Sequence, residues 1–143
     1  MATMHLADMG ADVVKIEDTG AGDYARTAGR VREGMSEYFR ALNRNKRGLR
    51  LDLKQAAGRE VFLRLAERAD IIVEGFRPGV VKKLGVDYDA VAAINPRIVY
   101  CAITGYGQNG PYAMRAGHDI NYIGYAGELD QIGPGDGPPV VPN

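Results

Sequence analysis

The sequence predicts an α/β fold built on a largely parallel sheet. Short runs rich in Val and Ile, at 69–74 and 98–104, alternate with a segment at 55–68 whose apolar residues recur at helical spacing. Fully apolar strands of this kind are typical of parallel sheets that helices cover. The chain has 143 residues, which is enough for one domain with a core and too few for two ordinary domains. We therefore predict a single domain over residues 1–143.

The first half of the chain alternates helix and strand. Residues 1–9 predict the end of a helix that stops at Gly10, and 11–17 predict a strand. The small residues at 20–23 predict a loop, and Ser36 predicts the cap of a short helix over 36–42. Alternating apolar residues then predict a strand over 48–53.

The second half repeats this order. A helix over 55–68 leads into the buried strand over 69–74, and a turn comes next at 77–79. The remaining predicted elements are, in chain order, short helices over 80–84 and 88–94, a strand over 98–104, a glycine loop over 105–111, a helix starting near 117 or 119, and an irregular loop from 133. Because the chain begins inside a helix and stops at 140–143 where another element should begin, we expect a piece of a longer protein.

Composition excludes several classes of function. Lys plus Arg and Asp plus Glu number 18 each, a balance that argues against a protein that wraps DNA. No apolar run approaches the ~20 residues that cross a bilayer, and no signal peptide opens the chain. The single Cys101 allows no disulfide framework, and the carboxylates show no metal-ligand spacing. We expect a soluble cytoplasmic protein with no metal, no nucleic acid and no membrane as partner.

The segment 105–110 matches the pattern G-x-G-x-x-G after a predicted strand. A dinucleotide site would need a helix to open at its third glycine, and Pro111 follows instead. A glycine-rich turn is the favoured interpretation, although glycines there also let a backbone approach a ligand closely.

Basic residues follow the predicted strands. The segment 43–47 is more typical of a solvated turn than of a phosphate clamp. Arg77 follows the end of a buried strand, which is the edge where α/β folds bind ligands, and Lys82 and Lys83 lie just beyond it. Such a set suits a polyphosphate ligand better than a duplex.

His118 has two interpretations. A helix cap or a core histidine is the commoner role, whereas a general acid/base is the functional one, because histidine titrates near neutral pH. Asp119 is predicted as an N-cap, with orientation of an active site as its alternative role. His5, on the first helix, is interpreted as structural.

Together these segments resemble CoA-transferase family III, the CaiB/BaiF superfamily. The resemblance runs in order along nearly the whole chain through Leu6–Glu17, Gly20-x-Gly22-Asp23-x-x-Arg26, Asn43–Arg47 with Leu51-Asp52-Leu53-Lys54, Glu74-x-Phe76-Arg77-Pro78-Gly79, and Gly105-Tyr106-Gly107-x-x-Gly110-Pro111. It implies a Rossmann-like, mostly parallel sheet with helices on both faces. The chain would be an incomplete large domain that lacks the family's first strand and the segments beyond the Pro-rich loop. Asp18 departs from relatives that carry a basic residue there near the nucleotide.

The run Gly117-His118-Asp119-Ile120-Asn121-Tyr122 is similar to the alpha-methylacyl-CoA racemase branch, since transferases of the family tend to carry an aromatic residue at the position of His118. In the racemases a histidine and an aspartate flank the α-carbon of a 2-methylacyl thioester. The resemblance makes His118 and Asp119 the catalytic candidates and places the partner aspartate beyond Asn143.

The resemblance also implies the ligand and the assembly. Coenzyme A is a co-substrate that is not tightly bound, and its expected contacts are Leu51, Lys54, Arg77, Lys83, Gly105, Tyr106 and Gly107. Full-length relatives are interlocked homodimers, so a homodimer is expected, and this chain alone is expected to be inactive. Two alternatives stay open: a CoA-transferase that works through an aspartyl intermediate, and a non-catalytic CoA-binding module.

Overall fold

The structure is a computed structural model that describes residues 1–141. Its helices are α1 (Ala2–Asp8), α2 (Glu37–Asn43), α3 (Ala56–Ala66), α4 (Val80–Leu84), α5 (Tyr88–Ala92) and α6 (Asp119–Tyr125), with 3-10 turns at Tyr24–Arg26 and Leu129–Gln131. Its strands are β1 (Val13–Glu17), β2 (Val31–Arg32), β3 (Met35–Ser36), β4 (Lys46–Arg50), β5 (Ile71–Glu74) and β6 (Val99–Ala102). The predicted helices and long strands are all present, so the α/β class is confirmed.

The longer strands pair in parallel. β1 and β4 run together from Val13 opposite Lys46 to Glu17 opposite Arg50. Strands β5 and β6 also pair in parallel. The amides of Val99 and Ile103 donate to the carbonyls of Asp70 and Glu74 at 3.0 and 2.8 Å. In the described residues these pairs form separate two-stranded sheets rather than one continuous sheet.

Two local features differ from the sequence-based expectation. Strand β4 ends at Arg50 rather than at 53, because the Asp52 side chain and carbonyl accept from the amides of Lys54 and Gln55 and turn the chain toward α3. Strands β2 and β3 form an unpredicted antiparallel hairpin. Its turn residues Glu33 and Gly34 both have positive φ, which is the geometry of a tight hairpin turn. The element expected at 140–143 includes two residues outside those described.

The described contacts divide the chain into two compact units. Unit 1 comprises Met1–Val73 and Val81–Tyr100, and unit 2 comprises Glu74–Val80 with the described residues from Cys101 onward. The single-domain expectation stays a prediction. None of the helices within residues 1–141 is long and apolar enough to span a bilayer.

One buried apolar cluster of unit 1 lies where α3, α5 and the residue before β6 meet. Its buried residues are Ala66, Val91 and Ile98. Asn95 is 5% exposed and joins them, because its amide nitrogen donates to the carbonyls of Ala66 and Ala69 at 2.9 and 2.8 Å. Ala66 is the last residue of α3, where carbonyls lack partners within the helix, and Ala69 lies just beyond it.

A buried carboxylate organises the loop after β1. The Glu17 side chain is 4% exposed and accepts from Arg26 Nε and Nη2 at 2.7 and 2.9 Å and from the Asp23 amide at 3.0 Å. The hydrogen bond from Arg26, more than any other influence, holds the pKa of Glu17 below its usual value. Gly22 has φ +74, and a Cβ there would lie 2.8 Å from Glu17 Oε2. The Gly-x-Gly-Asp-x-x-Arg motif is therefore a structural unit around Glu17.

The basic segment 43–47 is also structural. Arg44 pairs with Asp8 through its Nε and Nη2 at 3.1 and 2.5 Å, and Arg47 pairs with Asp12 at 2.9 and 2.6 Å. Lys46 donates to Asn43 Oδ1 at 3.1 Å. Arg44, just after α2, is thus paired with the last residue of α1, and Arg47, in β4, with the residue before β1, which favours the interpretation as a turn over that of a phosphate clamp.

Candidate functional site

The catalytic candidate His118 occupies the residue before α6. Its backbone is extended, with φ −124° and ψ 177°, and its N–H donates to Asn121 Oδ1 at 2.9 Å. The prediction that Asp119 is the N-cap is wrong: His118 is the N-cap and Asp119 is the first helical residue, because the His118 N–H donates to the Asn121 side chain at the start of the helix. Both His118 and Asp119 are exposed, so His118 is not a core histidine.

Tyr122 brings the glycine loop and the His118 turn together. Its hydroxyl donates to the Gly117 carbonyl at 2.8 Å. A Cβ at Gly105 would lie 2.4 Å from the Tyr122 ring, and one at Gly117 would lie 2.7 Å from it. Real Cβ atoms do not approach that closely, so the ring fits only because both positions are glycine.

Tyr106 lies at the centre of a tyrosine cluster. Its ring centroid is 5.9 Å from Tyr112, 5.4 Å from Tyr122 and 5.9 Å from Tyr125, in edge-to-face arrangements. The guanidinium of Arg115 lies 4.3 Å from the centre of the Tyr112 ring. Desolvation, followed by the neighbouring Tyr125 and Tyr122, raises the pKa of Tyr106 above its usual 10.0. Its phenol is therefore protonated at neutral pH and can donate a hydrogen bond.

The other candidates of unit 2 lie on two turns. Arg77 is exposed, and its carbonyl accepts from the Val80 amide at 3.1 Å in the turn that Gly79 closes. Within residues 1–141 no ion pair engages its guanidinium. Gly107 follows Tyr106 with φ +84, so the loop turns sharply there.

Unit 1 holds the remaining candidates. Leu51 is half-buried, and its amide continues the strand pairing to the Glu17 carbonyl at 2.9 Å. Lys54 lies on the turn that comes next, and Lys83 lies in α4; both are exposed. The structure thus brings together Gly105, Tyr106 and His118 in unit 2, and places Leu51, Lys54 and Lys83 in unit 1.

The roles of Asn121 and Tyr122 were not predicted from the sequence. A signal for Asn121 existed, because a side-chain acceptor at the third helical residue is typical of a capping box. No local signal marks the contact of Tyr122 with Gly105, since the two are distant in sequence. Within the described residues no cluster of His, Cys, Asp and Glu could hold a metal ion.

The chain is similar in sequence to CoA-transferases and to an acyl-CoA racemase. The sequence model of the family described as "CoA-transferase family III" matches residues 1–143. Human succinyl-CoA:glutarate CoA-transferase is 42% identical over 142 residues, which cover 99% of this chain and 32% of that protein. Human alpha-methylacyl-CoA racemase is 40% identical over 140 residues, which cover 97% of this chain and 33% of that protein.

Solved structures agree with the sequence comparisons. A CAIB/BAIF family protein from Brucella suis superposes with a TM-score of 0.90 at 42% identity, over 98% of this chain and 38% of that chain. The protein Rv3272 from Mycobacterium tuberculosis superposes with a TM-score of 0.84 at 37% identity, over 97% and 39% of the two chains. The chain spans about a third of the length of the relatives that it matches.

Proposed function

This chain belongs to CoA-transferase family III, and on that premise we propose that it forms part of an enzyme that acts on CoA thioesters. We propose further that the reaction is a 1,1-proton transfer at the α-carbon of a 2-methylacyl-CoA. The observation that carries this choice is His118 in the run Gly-His-Asp-Ile-Asn-Tyr. By the family resemblance, transferases tend to have an aromatic residue at this position. Its exposed position before α6, beside the Gly105 loop, supports a role in handling substrate.

The reaction needs two acid/base groups and a stabilised oxygen. In one direction His118 takes the α-proton as the C–H bond breaks, and the electron pair moves onto the thioester oxygen as an enolate. A second group returns a proton to the opposite face; by the family resemblance this is an aspartate outside the present chain. Donors aimed at the enolate oxygen lower the barrier most where water is excluded. The backbone of Gly105, Tyr106 and Gly107 is the proposed source of such contacts.

Coenzyme A is the proposed co-substrate. By the family resemblance, its proposed contacts are Leu51, Lys54, Arg77, Lys83 and the backbone of Gly105, Tyr106 and Gly107. The exposed cations Lys54, Arg77 and Lys83 suit the phosphates of CoA, since Arg binds phosphate as a fork and Lys as a point charge. We place the protein in the cytoplasm.

A CoA-transferase is the second candidate. The 42% identity to human succinyl-CoA:glutarate CoA-transferase slightly exceeds the 40% to human alpha-methylacyl-CoA racemase. In this alternative a carboxylate attacks the thioester and becomes acylated, and CoA is passed to a second acid. His118 would then line the pocket without exchanging a proton.

Deuterium exchange tests the proposal. The complete natural protein that contains this chain is supplied with a 2-methylacyl-CoA in deuterated water, and the α-position is followed by NMR. We expect deuterium at the α-carbon, and a rate at least 100-fold lower in His118→Ala, because general acid/base groups contribute about 10²–10⁴ in rate. His5→Ala removes the other histidine, exposed on α1, and is the matched control. Equal exchange in His118→Ala and His5→Ala would contradict the assignment of His118.

A further inference from the structure

The peptide group between Gly117 and His118 is held from both sides. Its carbonyl accepts from the Tyr122 hydroxyl at 2.8 Å, and its N–H donates to Asn121 Oδ1 at 2.9 Å. The next carbonyl, that of His118, accepts from the amides of Asn121 and Tyr122 at 2.9 and 3.3 Å. The His118 N–H and the carbonyls of Gly117 and His118 therefore all have partners in α6. We call the Tyr122 hydroxyl and the Asn121 amide oxygen the His118 clamp.

The Tyr122 ring of the clamp also packs against the glycine loop. The Tyr122 ring lies where a Cβ of Gly105 or Gly117 would be, and it meets Tyr106 edge to face at 5.4 Å. The hydroxyl therefore has a position set by the glycine loop as well as by α6. The direction of a side chain depends on the conformation of its backbone. Fixing the peptide group between Gly117 and His118 therefore restricts the direction of the His118 Cα–Cβ bond and hence of the imidazole.

We propose that Tyr122 and Asn121 are positioning residues that aim His118 relative to the Gly105 loop. This inference rests on the proposed function, in which His118 exchanges the α-proton and the Gly105–Gly107 backbone lies near the thioester. A base misplaced by about 1 Å can lose on the order of 10² in rate. The clamp thus acts on the chemical step, through His118, and not on CoA affinity.

Tyr122→Phe separates the hydroxyl from the ring. The phenylalanine keeps the contacts with Gly105 and Gly117 and loses the bond to the Gly117 carbonyl. In the complete natural protein we expect kcat for α-proton exchange to fall about 10- to 100-fold while KM changes less than about threefold. Tyr125→Phe on the same helix is the matched control, because Tyr125 is 64% exposed and its hydroxyl makes no described hydrogen bond. An unchanged kcat in Tyr122→Phe, or a loss expressed mainly in KM, would overturn the inference.

Asn121 supplies a second pair of variants. Asn121→Asp keeps an oxygen acceptor for the His118 amide, whereas Asn121→Ala removes it. We expect Asn121→Ala to lose exchange activity and amide hydrogen-exchange protection at His118, and Asn121→Asp to restore most of both. Equal behaviour of the two variants would show that the acceptor is not used.

Different experimental results would contradict the proposed function and the positioning role. If His118→Ala exchanges as fast as the unaltered protein, the proposed function is wrong and the catalytic consequence of the clamp falls with it. If His118→Ala is inactive while Tyr122→Phe and Asn121→Ala keep full kcat, the function stands and the positioning role is wrong.

Discussion

Arg26→Met removes the cation that pairs with the buried Glu17. The Glu17 side chain is 4% exposed, and both of its oxygens accept from the guanidinium of Arg26, at 2.7 and 2.9 Å. Methionine keeps an apolar stem near Phe39, over whose ring the guanidinium lies at 4.1 Å. Two charge-assisted hydrogen bonds of about 1.5–3 kcal/mol each set the upper end of the loss. Because the Arg26 side chain is 37% exposed and screened by solvent, we expect a loss of about 2–3 kcal/mol in the free energy of unfolding at pH 7.

The loss should depend on pH in a defined direction. The bond from Arg26 holds the pKa of Glu17 below its ordinary 4.5 in the folded protein. This pair therefore stabilises the fold above the unfolded pKa, and its contribution disappears as pH falls through the folded pKa. In Arg26→Met the carboxyl stays buried without its cation, so it protonates more readily and the penalty shrinks in acid. The difference between variant and parent is thus largest at neutral pH and smaller at pH 4.

Urea denaturation followed by circular dichroism at pH 7 and pH 4 measures both effects. Arg40→Met is the control, because Arg40 meets Glu33 only at 3.4 Å, with side chains 46% and 70% exposed. That pair should contribute less than about 1 kcal/mol. The expectation is refuted if Arg26→Met costs no more than the control at pH 7, or if its penalty grows in acid.

Two further predictions concern unit 1. Asn95→Ala removes the described donor to the Ala69 carbonyl and leaves the Ala66 carbonyl only the Ala69 amide, at 3.3 Å, so we expect a loss of about 2–3 kcal/mol by urea denaturation; a loss under about 0.5 kcal/mol would contradict the role given to Asn95. We also predict self-association of the chain, because Val61, Leu65, Ile71 and Val99 are 39%, 39%, 46% and 58% exposed and leave apolar surface uncovered. Sedimentation velocity should show a concentration-dependent increase in mass, and a single monomeric species at all concentrations would contradict it.

Periodicity predicted the elements well where a segment has one dominant apolar pattern. The helix expected over 55–68 is α3, and the strand expected over 69–74 contains β5. The expected burial of that strand is wrong in the described chain, since Ile71 is exposed and the other residues of β5 are half-buried. Periodicity fails where a hydrogen bond from or to a side chain determines the backbone conformation. Leu51 and Leu53 continue the alternation of β4, yet Asp52 turns the chain between them. The β2–β3 hairpin has two-residue strands, too short for any alternation to mark.

The candidate site was predictable in residue type but not in arrangement. His118 is marked by its motif and lies beside a glycine loop, as the resemblance implies. The role of Tyr122 depends on Gly105, which only the fold brings to the ring. The pairing of Arg44 and Arg47 with Asp8 and Asp12 is likewise long-range, so composition alone could not separate a structural turn from a phosphate clamp.

A single reaction mixture tests most directly whether the protein is a racemase. The complete natural protein that contains this chain is incubated in deuterated water with one enantiomer of a 2-methylacyl-CoA and a carbon-13-labelled free carboxylic acid, and both labels are followed by NMR. We predict deuterium at the α-carbon together with loss of optical purity, and no labelled acid in the thioester. Transfer of the labelled acid to CoA with the α-proton retained would contradict this prediction and establish a transferase.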